Sequence, residues 1–286
     1  AIIPMALKGL AASLGGMAAA VAGGLYAYGR LVEPGRVEVT QVPLVLPRLD
    51  PAFDGYRIVQ ISDVHMDSFM TLRRLCALVE IINAQQPDLV AMTGDFVTSN
   101  LAYDADELMI AFSGLRARDA AVAILGNHDY HSGVEGVRAV IRRSGMIELS
   151  NEVYTLRRGA ARLHIAGLDD IWAQAARLDL VLDALPPDGA AVLLVHEPDV
   201  ADLAAATGRF DVQLSGHTHG GQIVFPLIGP LYLPAHGHRY ERGLYYLANG
   251  MRLYVNRGVG MIALPIRFGS RPEITVITLH SSGAAG

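Results

Sequence analysis

The chain has a single cysteine, Cys76, and a single lysine, Lys8, among its 286 residues. A lone cysteine excludes an intramolecular disulfide. In Leu72-Arg73-Arg74-Leu75-Cys76-Ala77-Leu78-Val79 it reads as a packed helix residue and reports no redox compartment. There is no basic tract and the formal net charge is −5, so the chain lacks the electrostatic footprint of a polyanion binder and no nucleic-acid partner is expected. Every cation other than Lys8 is an arginine. With Ala and Gly also abundant this reads as codon bias, although the planar guanidinium fork suits phosphate. Internal repeats are absent, and the one biased segment is an Ala/Gly-rich start.

Charge is missing altogether from Gly9 through Gly29, between Lys8 and Arg30. A bilayer core needs about 20 apolar residues as a helix, so residues 1–32 are expected to be an N-terminal membrane anchor or export segment. A cleaved secretory signal, suggested by Ala20-Val21-Ala22, and a buried helix are the rival readings. Lys8 on one side and Arg30, Glu33 and Arg36 on the other nearly balance, so charge does not orient the segment. The expected location is the cell membrane through a single anchor, extracytoplasmic if the segment is an export signal. Residues 33–286 are expected to form one domain, since the candidate functional residues run from 63 to 219 and a half-hydrophobic composition can bury a large core.

What is there begins after Pro34. Val37-Glu38-Val39-Thr40-Gln41-Val42 alternates like a half-exposed strand, with breaks expected at Pro43 and Pro47. Residues 56–62, 88–93, 120–125, 190–195 and 211–215 are short apolar runs of strand length. Helical spacing of Leu72, Leu75, Val79 and Ile82 ends near Pro87, and shorter amphipathic stretches cover 105–117 and 133–144. The acidic run Asp104 to Glu107 is expected to start a helix, where it would face the positive end of the dipole. This alternation predicts an α/β sheet with ligands beyond the carboxyl ends of its strands, along one edge. Further strand-like runs at 152–157, 161–167, 244–255 and 273–279 call for a second sheet packed on the first. Ser281 to Gly286 is expected to fray.

Each of the first five runs stops at a motif: Asp63-Val64-His65, Gly94-Asp95, Gly126-Asn127-His128-Asp129, His196, and Gly216-His217-Thr218-His219. Two carboxylates, one amide and four imidazoles form a nitrogen and oxygen donor set without thiolate, suited to two divalent ions such as Mn, Fe, Zn or Co. Taken singly, a Gly-Asp pair is a turn and an isolated His a core residue; the ordered set at strand ends reads as a two-metal hydrolytic site. In Asp63-x-His65 and His217-x-His219 the donors are two residues apart, which on extended backbone aims both to one side.

With these blocks in order over residues 56–220, the chain resembles the calcineurin-like metallophosphoesterases. The resemblance implies a four-layer αββα sandwich of two mixed sheets with a dinuclear site at the strand ends. Asp63, His65 and His219 would hold one metal, Asn127, His196 and His217 the other, and Asp95 would bridge them. The runs Gly216 to Gln222, Asn256-Arg257-Gly258-Val259-Gly260, Leu264-Pro265-Ile266-Arg267 and Arg271-Pro272-Glu273-Ile274 look like the subgroup with an N-terminal membrane or export segment. Some members of that subgroup are similar to UDP-2,3-diacylglucosamine hydrolases of lipid metabolism.

The expected reaction is phosphoester hydrolysis by in-line attack of a metal-bridging hydroxide. Two divalent ions, two carboxylates and that hydroxide leave about +1 at the site, suited to an anionic ester. The expected substrate is a phosphorylated small molecule or lipid-linked metabolite, carrying a phosphodiester or pyrophosphate as UDP-2,3-diacylglucosamine does. A broad-specificity phosphodiesterase, a nuclease, and a non-catalytic scaffold that keeps its metals are the alternatives. His128 is the candidate to protonate the leaving oxygen, with Asp129 orienting its ring. The apolar run Ile223 to Pro234 is read either as a lipid-accepting wall, with His238 or Arg239 on the substrate head group, or as a loop packed on the second sheet. His236-x-His238 as a third metal site has no supporting donors, and Trp172, His164 and His131 read as packing or surface.

Overall fold

The computed structural model describes residues 2–99 and 101–283, with side chains described from Gly15 onward apart from Ala18 and residues 101–104. Helix α1 (Ile2–Leu31) is followed by β1 (Glu38–Leu46), β2 (Tyr56–Ile61), α2 (Leu72–Ala84), β3 (Leu89–Thr93), α3 (Leu101–Phe112) and β4 (Ala120–Ile124). Then come α4 (Asn127–His131), α5 (Val134–Arg143), β5 (Ile147–Glu148), β6 (Glu152–Arg158), β7 (Ala161–Gly167), α6 (Leu178–Ala184), β8 (Ala190–Leu194), α7 (Ala201–Ala206) and β9 (Val212–Ser215). A two-residue hairpin pair, β10 (Val224–Phe225) and β11 (Gly229–Pro230), precedes β12 (Gly243–Tyr246), β13 (Arg252–Val255) and β14 (Glu273–Ser281).

Two six-stranded mixed sheets result, ordered β1-β14-β2-β3-β4-β5 and β12-β13-β9-β8-β7-β6. Their inner faces meet in one apolar layer: Ile58, Leu89, Val122 and Ile277 from the first sheet pack with Leu163, Val192, Leu194 and Leu214 from the second. The outer face of the first sheet, with Val59, Val90 and Ala123, is covered by Leu75, Ile82, Leu108, Phe112 and Ile141 of α2, α3 and α5. The outer face of the second, with Ala191, Leu193 and Leu253, is covered by Val181, Ala201 and Ala204 of α6 and α7. Central strands such as Leu89–Thr93 and Ala190–Leu194 are buried on both faces, which is why they read as continuous apolar runs. The architecture is the αββα sandwich.

Several local expectations are corrected. The strand expected to break at Pro43 continues to Leu46, pairing in parallel with β14 through Pro43↔Thr278. β1 lies at the sheet edge, where the missing N–H of a proline faces no partner strand. The run 244–255 is two antiparallel strands, because Asn249 and Gly250 take positive φ of 67° and 78° and turn the chain between them. The helix expected at 105–117 ends at Phe112; Asn83 bonds Gly114 O and Arg116 N and holds the following residues as a loop. The acidic run 104–107 therefore lies inside α3 rather than at its start. Ser281 closes β14, while 284–286, the end of the tail expected to fray, lie outside the described residues.

At the other terminus, among the described residues, α1 meets the sandwich at its foot. Arg267 N donates to Gly29 O at 3.0 Å, and Ser270 N donates to the buried Glu33 carboxylate at 2.8 Å. Among the described residues no helix is long and apolar enough to cross a membrane; glycines at 15, 16, 23 and 24 are among the residues of α1.

Candidate metal centre

The candidate ligands do not come from one sheet edge. Asp63, Asp95 and Asn127 follow β2, β3 and β4 of the first sheet, whereas His196, His217 and His219 follow β8 and β9 of the second. The carboxyl ends of both sheets therefore close on one point. Backbone bonds extend beyond the strands and tie these loops together: Asp63 N to Gly94 O, His65 N to Asp95 O, and Gly216 N to His196 O, each 3.0 Å.

Extended backbone is not what aims the donors. Asp63, His65, Asp95, His217 and His219 all have positive φ, between 46° and 72°. Each such turn costs roughly 1–2 kcal/mol in a residue with a side chain, and it swings the donor inward. Asp63 and His65 meet in one donor group, but His217 and His219 diverge into two. Gly216 is required by proximity, since a Cβ there would run into Ser62 Oγ and the Asp63 carboxylate.

Two buried triads result, Asp63 with His65 and His219, and Asp95 with His196 and His217; within each, one donor atom per residue lies within 4.8 Å of the others. Asp95 Oδ2 stands between them, 3.5 Å from His65 Nε2 and 3.2 Å from His196 Nε2. His219 Nε2 is 3.4 Å from Asp63 Oδ1 and 3.1 Å from His65 Nε2. His196 Nδ1–H donates to Thr93 O at 2.7 Å, fixing the tautomer that leaves Nε2 facing the carboxylates. His217 Nε2–H donates to Ala235 O at 2.8 Å, which leaves Nδ1 as the ring nitrogen free to meet a metal.

Burial lowers His65 and His217 to about 3 and His219 well below its ordinary range, which keeps three rings neutral with free lone pairs. Burial would lower His196 too, but Asp95 and Asp63 overcome it and hold a proton there. The carboxylates thus draw positive charge to the spot between the sheets. Asn127 Oδ1 is buried without a hydrogen-bond partner, a costly state for an amide oxygen unless a cation meets it. The donor set, the orphaned oxygen and this demand for positive charge fit two divalent ions.

Asp129 and His128 depart from the expected pairing. The fully buried Asp129 carboxylate accepts Asp95 N at 3.0 Å, Phe96 N at 2.8 Å and Gly126 N at 2.9 Å, clamping two ligand loops together. The His128 ring is oriented by Thr98 instead, Nδ1 donating to Thr98 O at 2.9 Å, and His128 N donates to Asp95 Oδ1 at 2.9 Å. A cavity of about 420 Å³ opens over this centre, with Asp95, Asn127, His128, His217 and His219 at its floor. Its wall is apolar: Ile223, Leu231, Tyr232, Ile262 and Leu264.

His238 and Arg239 are not on that wall. His238 Nε2 donates to Leu233 O at 3.0 Å within its own loop, and Arg239 pairs with Asp202 of α7 at 2.7 Å. Trp172, read from the sequence as packing or surface, instead lines the cavity with its ring edge-to-face on His217, 5.9 Å away. No motif surrounds it; only the fold brings it there. His164 is buried between Thr155 Oγ1 and Asp188 O, as a packed histidine.

An αββα sandwich whose two sheets converge on nitrogen and oxygen donors defines a metal-dependent hydrolase. The chain belongs to the calcineurin-like phosphoesterase family, whose model matches residues 56–221. It is 37% identical over 279 residues to the metallophosphoesterase YkuE of Bacillus subtilis, covering 96% of each chain. Phosphodiesterase YaeI of Escherichia coli is 28% identical over 258 residues, 89% of this chain and 92% of that one. A bovine transmembrane protein with a metallophosphoesterase domain is 33% identical over 263 residues, 85% of this chain and 57% of the relative's length. The protein is a metal-dependent phosphoesterase that uses two divalent ions.

Proposed function

We propose that the substrate is a phosphodiester or pyrophosphate of an amphipathic membrane or envelope metabolite, UDP-2,3-diacylglucosamine being one example. The observation that carries this reading is the cavity, which joins a charged floor of metal-site residues to an apolar wall. The phosphoryl group suits the floor and a hydrocarbon portion suits Ile223, Leu231, Tyr232 and Leu264. A membrane location through residues 1–32 is part of the proposal; the transmembrane name of the bovine relative supports it.

Asp63, His65 and His219 would hold one ion and Asn127, His196 and His217 the other, with Asp95 shared. When bound, such ions lower the pKa of water and neutralise phosphoryl oxygens. The chain's own residues do the rest. Thr98 O fixes the His128 ring through Nδ1, leaving Nε2 to reach the leaving oxygen and hold or give its proton. Asp129 holds the Asp95 and Asn127 loops at fixed separation, and Trp172 walls one side of the cavity against water.

The test is turnover by manganese-loaded protein on bis(p-nitrophenyl) phosphate, a lipid pyrophosphate and duplex DNA. Preference for the lipid pyrophosphate is expected. Equal rates on all three would favour a broad phosphodiesterase, preference for DNA a nuclease, and no turnover a scaffold.

A further inference from the structure

Side chains of α1 from Ala19 through Ala27 are exposed around the whole helix, with Val21, Leu25 and Tyr26 at 58%, 41% and 61%. A helix docked on a protein shows one apolar stripe and a polar back, whereas this one has no charge on any face from Gly9 to Gly29. An uncharged helix with no polar back suits contact with lipid better than contact with water.

The foot of α1 is continuous with a second apolar element. Tyr28 packs edge-on against Phe268 at 6.3 Å, and Phe268 lies 5.3 Å from Phe225 of the β10–β11 hairpin. Tyr28, Val224, Pro226 and Phe268 share a cavity of about 380 Å³ there with Glu33, Glu38, Arg257 and Arg271, so the carboxylates and guanidiniums along it balance. The hairpin tip is Leu227 and Ile228, fully and 76% exposed, where water-facing turns normally carry Gly, Asn or Asp. Leu227 has a positive φ of 69°, a strained conformation for a bulky residue. Past the hairpin, Leu231 and Tyr232 are 61% and 70% exposed on the rim of the metal cavity, with Leu264 at 55%. Near the foot of α1 stand arginines: Arg74 Nη2 donates to Pro34 O at 3.5 Å, with Arg30, Arg73 and Asp67 in its neighbourhood.

We propose that α1, the Leu227–Ile228 tip and the rim formed by Leu231, Tyr232 and Leu264 make one face that docks on an anionic lipid bilayer. Leu227 and Ile228 enter the acyl boundary, Arg30, Arg73 and Arg74 sit at head-group level, and the metal cavity opens at the membrane surface. The inference rests on the amphipathic-substrate reading, because such a substrate then reaches the cavity without crossing water.

The experiment uses the full metal-loaded chain carrying Trp172→Phe and Ile228→Trp, with vesicles of phosphatidylcholine alone or mixed with phosphatidylglycerol. Binding to the mixed vesicles is expected, with a blue shift of the introduced tryptophan's emission and quenching by dibrominated acyl chains. Binding without any shift or quenching overturns the inference, as does self-association with no vesicle binding. A second variant, Leu227→Asp with Ile228→Asp, is expected to lower hydrolysis of a lipid diester in vesicles by on the order of tenfold or more. Its rate on soluble bis(p-nitrophenyl) phosphate should be unchanged; equal losses on both overturn the docking role. Vesicle docking with the expected emission, but no preference for the lipid diester, would refute the substrate reading alone.

Discussion

His65 and His219 bring their Nε2 atoms to 3.1 Å of each other across the seam between the two sheets. Without a metal one Nε2–H can donate to the other ring; with both Nε2 lone pairs free, they converge where a cation can be held. Manganese is therefore expected to raise the melting temperature and EDTA to lower it, with about 4 kcal/mol of stabilisation at a thousandfold excess over Kd. His65→Ala should reduce bound metal from two ions to one per chain in metal analysis. Two ions retained by that variant would refute the assignment of His65.

His128→Ala should keep both metals while turnover falls by about 10²–10⁴-fold, the usual contribution of a positioned proton donor. Activity and metal content measured on the same sample separate the two effects. Full activity would remove the proton-transfer role.

Asp129→Asn replaces one acceptor oxygen of a fully buried carboxylate with an amide NH₂, so at least one of the Asp95, Phe96 and Gly126 N–H donors loses its partner. A loss of about 1–3 kcal/mol in denaturant unfolding is expected, together with weaker metal binding. If turnover at saturating metal falls far more than metal affinity, Asp129 does more than hold the loops.

Gly216→Ala puts a methyl group onto Ser62 Oγ and the Asp63 carboxylate. It is expected to cost about 1–3 kcal/mol and to weaken binding at the Asp63 ion before the other. Unchanged stability and metal titration would show that the loop yields freely.

Glu273 supplies a pH dependence away from the metals. Burial would raise its carboxyl, but Arg257, 3.0 Å away, and hydrogen bonds including that from Tyr254 hold it below its ordinary value of 4.5. A depressed carboxylate stabilises the fold above its unfolded pKa and loses that contribution as pH falls through the lower folded value. Glu273→Gln should therefore cost about 3 kcal/mol near pH 7, and its deficit should shrink below pH 4.5. A deficit independent of pH in urea titrations would argue against the ion pair.

The sequence by itself determined most of the strands and the candidate donors. The apolar runs ending at Ser62, Thr93, Leu125, Val195 and Ser215 are legible because strands buried on both faces are mostly apolar, the buried Gln60 and Gln213 being hydrogen-bonded exceptions. The donor chemistry is legible because Asp, Asn and His recur in order at the ends of five such runs, a pattern that single turns or caps do not produce together. Only the tertiary structure decided how the donors divide. It drew His217 and His219 apart by left-handed turns, set Asp95 between His65 and His196, and gave His128 to Thr98 O while turning Asp129 into a clamp on backbone N–H groups. It also placed Trp172 on the cavity and tied off His238 and Arg239. Those relations join residues far apart in the chain through two sheets closing on each other, and local spacing carries no record of such a closure.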